Sequence, residues 1–270
     1  MHTNPAVAGE RLAPPVVVAL HSSGAGPRQW APWRPWMDAD APWLTPGLIG
    51  YDPGAPWTEG ERVTLDDEAL RIAQLAAAHP GGVHLVGHSY GGAVALRVAL
   101  RWPQRVRSLA LYEPVLFALL RDDGDGVDWR GITGVGRRIG ALARAGRLLD
   151  SAALFVDYWS GDGAWDALAP PRRQAVAARM PKVAAEFDAL FDDEVGADAY
   201  RALRMPVRLA GGERSPRPAR RVLQRLARLL PAVQTRLLSG LGHMGPLDSP
   251  GRVADALALV SPRTVTPLAA

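Results

Sequence analysis

Cysteine is absent from the 270 residues, and lysine occurs once, at Lys182. Without a thiol the chain has neither disulfide staples nor cysteine chemistry, which suits a reducing compartment, and a cytoplasmic location is expected. The remaining cations are arginines spread among carboxylates, for a net charge of only +4. The clustered basic face that nucleic acid requires is therefore missing, and no nucleic-acid partner is expected. No apolar run approaches membrane-spanning length, so no membrane partner is expected either. The opening stretch MHTNPAVAGERLAPP lacks the basic patch and apolar core of a signal peptide, and none is expected. Also missing is a G-x-x-x-x-G-K-[ST] phosphate loop, and Gly134-Val135-Gly136 meets Ile139 where a dinucleotide loop needs its third glycine. His84 and His88 are four apart but fall on a strand and a turn, without the glutamate of H-E-x-x-H. No metal or organic cofactor is implied, and there is no internal repeat.

What is present is an ordinary globular composition, 48% hydrophobic and 21% charged, long enough for one large α/β domain or a core with an inserted subdomain. The stretch that organises it is VHLVGHSYGGAVALRVAL, residues 83–100. An apolar strand meets Gly87-His88-Ser89-Tyr90-Gly91, and a helix-period apolar run follows. Such a strand–turn–helix forces Ser89 into a strained backbone conformation that glycines on both sides make tolerable. Its hydroxyl is left exposed at a helix N-terminus, where unpaired N–H groups favour developing negative charge.

Around this unit the chain alternates strands and helices. Residues 16–20 (VVVAL) form a buried strand that opens into His21-Ser22-Ser23-Gly24-Ala25-Gly26, with a short helix expected at Gln29-Trp30. Residues 30–57 are rich in proline and tryptophan, with one short strand expected over 44–49; these tryptophans are read as filling space under an irregular loop in preference to lining a pocket. Thr64 and Asp67 form a capping-box pattern before a helix that His79-Pro80-Gly81-Gly82 stops. Further strands are expected at 106–111, 205–209 and 233–238, with helices at 216–230 and from Ser249-Pro250 to about residue 260. Between the strand ending near Tyr112 and residue 200 the character changes to helical patterns at 139–149, 152–159 and 173–191, interrupted by Pro170-Pro171. The reading is a mostly parallel, doubly wound α/β sheet formed by residues 1–114 and 201–270, with a helical insertion over 115–200 that covers the strand ends.

A serine hydroxyl needs a base, and the base needs an acceptor for its second ring nitrogen. Of six histidines, His2 is in the leader, His79 ends a helix, His84 lies mid-strand, His88 sits in the elbow and His21 is suited to holding its loop. His243, in the glycine-flanked loop Gly240-Leu241-Gly242-His243-Met244, remains.

Together, His21-Ser22-Ser23, the Gly87–Gly92 elbow and the His243 loop resemble the α/β-hydrolase superfamily, in its serine-nucleophile branch with a helical cap. The resemblance covers residues 16–260 except the cap. It implies Ser89 as nucleophile, His243 as base, and an oxyanion hole of the Tyr90 and Ser23 N–H groups, although Ser22 stands where the family usually has glycine. The family's aspartate after the strand at 207–210 is replaced by Gly211-Gly212-Glu213-Arg214-Ser215-Pro216, in which Ser215 reads as a helix cap. Glu213 and Glu113 are the candidate acids. Glu113 is preferred because it directly follows a strand end, a site that resembles the acid position of some haloalkane dehalogenases. The implied activity is hydrolysis of a small, rather apolar carboxylic ester through an acyl-enzyme. The same machinery acting on a C–C bond, a lactone or a thioester is the alternative, and a non-catalytic ligand receptor is the alternative of another class.

Overall fold

The computed structural model describes residues 16–37 and 42–257. The leader with His2 and the residues 258–260 expected to end the last helix lie outside them. Six parallel strands lie in the order β2-β1-β3-β4-β5-β6: β1 Val16–Leu20, β2 Trp43–Leu44, β3 Val83–His88, β4 Val106–Tyr112, β5 Val207–Gly212 and β6 Val233–Leu238. Alternate residues of each strand serve opposite faces, as the period of two requires. Val16, Val18, Leu20, Leu85, Leu109, Leu111 and Leu209 join the core under α1 (Leu65–Ala77), α2 (Tyr90–Arg101) and α7 (Arg217–Leu229). Ala19, Val86, Ala110, Tyr112 and Ala210 meet Trp30, Trp33 and the helix Pro250–Leu257 on the other face.

The capping box at α1 forms as expected: Thr64 Oγ1 accepts from Asp67 N–H at 3.1 Å and Asp67 Oδ2 accepts from Thr64 N–H at 2.9 Å. Trp30 and Trp33, on a 3-10 helix over Pro27–Trp36, are buried filler, and Trp33 Nε1 donates to Pro246 O at 2.8 Å. The strand expected over 44–49 is only Trp43–Leu44, because Pro46 brings no N–H to a ladder and the Leu48 N–H goes to His21 Nε2.

Between β4 and β5 the chain leaves the sheet for α3 (Val127–Arg144), α4 (Leu148–Ser160), α5 (Pro170–Ala177) and α6 (Met180–Phe191). The helix expected over 139–149 starts twelve residues earlier in α3 and breaks at Gly146, whose φ of 73° leaves the helical region. Pro170-Pro171 open α5, where the missing N–H groups cost nothing.

Candidate active site

Strand connections diverge between β1 and β3, the crevice where open α/β sheets collect ligands. The elbow sits there. Ser89 has φ 56° and ψ −119°, directly after β3 and before α2. A Cβ on Gly87 would lie 2.7 Å from Gly92 Cα, and one on Gly91 2.5 Å from His21 O, so backbone on both sides demands glycine.

Sheet register sets the opposite wall. His88 pairs with Tyr112, so Glu113 emerges beside Ser89, and the Ser89 N–H donates to Tyr112 O at 3.0 Å. His243 arrives from the loop after β6. The Ser89 hydroxyl donates to His243 Nε2 at 2.9 Å, and His243 Nδ1–H donates to Glu113 Oε2 at 2.6 Å. Glu113 is fully buried, and its Oε1 accepts from Gly212 N–H at 2.7 Å and from the Ser215 hydroxyl at 2.6 Å. Ser89, His243 and Glu113 thus stand in one hydrogen-bonded row, whereas Glu213 is exposed and outside it.

Ser215 does not cap α7. The N-cap is Pro216, without a side-chain bond, and the Ser215 hydroxyl turns inward to Glu113. The local Ser-Pro pattern suggests a cap, in which the serine oxygen would accept a helix N–H, but the hydroxyl instead donates to the buried Glu113 carboxylate, a strong charge-assisted partner that turns the side chain inward.

Ser23 lines the cleft beside Ser89. The Ser22 N–H donates to Gln29 Oε1 at 3.0 Å and the Gly24 N–H to the Tyr51 hydroxyl at 2.8 Å; among the described residues the Ser23 N–H between them has no acceptor. Tyr90 begins α2, where a backbone N–H has no intrahelical partner, while its side chain is buried.

Three contacts at His243 come from residues that sequence reasoning left out. His88 Nε2 donates to His243 O at 2.9 Å, and its pKa falls well below the ordinary value through burial and then the neighbouring His243. Tyr112 donates its hydroxyl to Gly242 O at 2.7 Å, and the Trp159 indole lies over the imidazole with ring centroids 4.0 Å apart. Only tertiary proximity reveals these, since the partners are more than 80 residues away in the chain. His21 is buried with its Nδ1–H on Ser22 O at 2.8 Å and its Nε2 accepting from Leu48 N–H at 3.1 Å. Burial lowers its pKa to about 4, against the opposing pull of the Ser22 bond.

A narrow cleft lies above Ser89. Phe117, Phe155 and Phe187, three of the chain's four phenylalanines, line it with Val115, Trp159, Leu190 and Met244, and no arginine, lysine or carboxylate does. Among the described residues no group of three or more His, Asp or Glu is placed to hold a metal, and no helix is long and apolar enough to cross a membrane.

A parallel sheet with a strained serine elbow at its central crevice defines the α/β-hydrolase class of fold. The chain belongs to the alpha/beta hydrolase family, whose sequence model matches residues 17–256. It is 32% identical over 117 residues to the 2-hydroxy-6-oxo-2,4-heptadienoate hydrolase of Pseudomonas putida, 42% of each chain. It is also 35% identical over 97 residues to the pimeloyl-[acyl-carrier protein] methyl ester esterase of Aromatoleum aromaticum, 36% of each chain. These matches span less than half the length of either relative. A thermophilic esterase from Thermogutta terrifontis superposes with a TM-score of 0.71 at 20% identity, over 92% of this chain and 89% of that one, a likeness of fold.

Proposed function

We propose that the protein is a serine hydrolase acting on a small, apolar carboxylic ester. The observation that carries this reading is the unbroken row from Ser89 through His243 to Glu113. His243 Nε2 takes the Ser89 proton as the oxygen attacks the acyl carbon, while Glu113 holds Nδ1–H and offsets the imidazolium charge. The Ser23 and Tyr90 N–H groups receive the oxyanion. His243 then returns the proton to the leaving alcohol, and water repeats the sequence on the acyl-enzyme. The segment 115–200 serves as a cap, supported by the cleft walls that Phe155, Trp159, Phe187 and Leu190 provide, and it keeps bulk water from the acyl-enzyme.

The cleft chemistry bears on the bond cleaved. Cleavage of a C–C bond is the second reading, favoured by the named hydrolase of a dienoate, which is a carboxylate. An anion would enter this cleft without a cation to meet it, at a desolvation cost that a neutral ester avoids.

A fluorophosphonate is expected to label Ser89, with turnover of a short-chain p-nitrophenyl ester. Ser89→Ala should abolish labelling and lower kcat by about 10⁴- to 10⁶-fold, and adding His243→Ala should cost little more. Tight ester binding without turnover would indicate a receptor, and full labelling of Ser89→Ala would refute the nucleophile.

A further inference from the structure

The chain's single lysine is neither at its surface nor in the cleft. Lys182, on α6, is buried, and its ammonium reaches Glu186 Oε1 at 2.9 Å and Glu68 Oε1 at 3.3 Å. Both carboxylates are fully buried. Taking three such ions out of water is costly unless each meets a partner, so the arrangement calls for a reason beyond stability. The polar groups continue outward from it. The Tyr51 hydroxyl donates to Glu186 Oε2 at 3.2 Å and accepts from the Gly24 N–H at 2.8 Å.

Gly24 follows Ser23 in the loop after β1 and holds a left-handed φ of 70°. The same loop is gripped a second time from the insertion, because Arg179 donates to Gly24 O at 2.6 Å and also to Ala25 O. On its other side Gln29 Oε1 holds the Ser22 N–H and hydroxyl, at 3.0 and 2.8 Å. Ser23 is therefore suspended between two fixed neighbours, one belonging to the core and one tied to α6.

The two carboxylates are not equivalent. Burial raises the Glu68 pKa to about 7, and Glu68 also accepts from the Ile49 N–H at 2.9 Å. The shorter ion pair goes to Glu186, the carboxylate that holds Tyr51. A hydroxyl has a single proton to give, so the bond to Glu186 commits the Tyr51 proton and turns a tyrosine lone pair to Gly24.

We propose that Lys182 is a positioning residue: through Glu186 and Tyr51 it fixes Gly24 and so aims the Ser23 N–H at the oxyanion, making the loop's competence depend on contact with α6. The proposal rests on the serine-hydrolase reading. It differs from a packing role in what it touches, because it governs stabilisation of the tetrahedral oxyanion and leaves binding of the neutral substrate alone.

The test uses the full chain with Tyr51→Phe, which removes one oxygen and leaves the ion pairs in place, and Lys182→Met, with thermal unfolding to establish that each variant is folded. Hydrolysis of a p-nitrophenyl ester and inhibition by a trifluoromethyl ketone, which adds Ser89 to form an oxyanion, are measured side by side. Both variants are expected to lose about 10- to 100-fold in kcat with KM within about threefold, and the ketone should weaken by the same factor as kcat/KM. If Lys182→Met does not fold, Glu186→Gln, which uncouples Tyr51 from the lysine, takes its place, and a folded variant at either position with wild-type kcat and ketone affinity overturns the role of Lys182. A folded Tyr51→Phe with wild-type kcat and ketone affinity, or a loss confined to KM, overturns the proposal. Wild-type protein that fluorophosphonate fails to label at Ser89 removes the hydrolase reading itself, and the proposal with it.

Discussion

Ser89 and Glu113 are the two non-glycine residues with positive φ among the described residues, at 56° and 44°, and they lie side by side at the ends of adjacent strands. Such a conformation costs on the order of 1 to 3 kcal/mol and persists where its surroundings fix it. For Glu113 the fixing groups are the His243 ring, the Gly212 N–H and the Ser215 hydroxyl. Glu113→Gln is expected to lower kcat by about 10³- to 10⁴-fold, because an amide can present its donor to Nδ1 and select the wrong tautomer. Ser215→Ala, which leaves Glu113 held by Gly212, should cost about tenfold, and Glu213→Gln should change little. Steady-state kinetics on the three variants checks the order, and a large effect at Glu213 would move the acid role there. The place of Glu113 beside His243 was readable in the sequence because a residue right after a strand end emerges at the carboxyl edge of the sheet. The inward turn of Ser215 was not, since its partner lies 102 residues away and Ser-Pro before a helix has an equally good local explanation.

At the scale of the element, the elbow depends on how closely α2 approaches β1. Gly91→Ala would press a methyl group into main-chain carbonyls that cannot swing aside, and a loss of about 3 kcal/mol is expected on urea denaturation. Gly131→Ala, at a helical position in α3 with open space around it, should be neutral or slightly stabilising in the same measurement. The inner strands were legible because parallel strands buried on both faces read as short runs of Val, Leu and Ala, as in VVVAL. Helix limits in the insertion were less so. Gly131, Gly134 and Gly136 lower the helical signal of α3, while packing of Gly136 against Phe187 and Phe191 keeps the helix intact.

Across the whole molecule, the insertion is anchored to the core by a buried ion pair. Arg97 of α2, 5% exposed, bonds Asp193 just beyond α6 and reaches Asp66 Oδ2 at 2.6 Å. Arg97→Met strands the buried Asp193 carboxylate and is expected to cost about 3 to 5 kcal/mol, with little dependence on salt. Breaking the exposed pair Arg62–Asp192 should cost under about 1 kcal/mol. Chemical denaturation at low and high ionic strength separates the two. The order of the chain carries a further consequence. Ser23, Ser89 and Glu113 all precede the insertion, and His243 alone follows it. A cut in the exposed Gly161-Asp162-Gly163 link would leave the proposed nucleophile on one piece and the proposed base on the other. Neither piece would hold the whole row from Ser89 to Glu113, so on the proposed mechanism ester turnover is expected only while the two halves stay together.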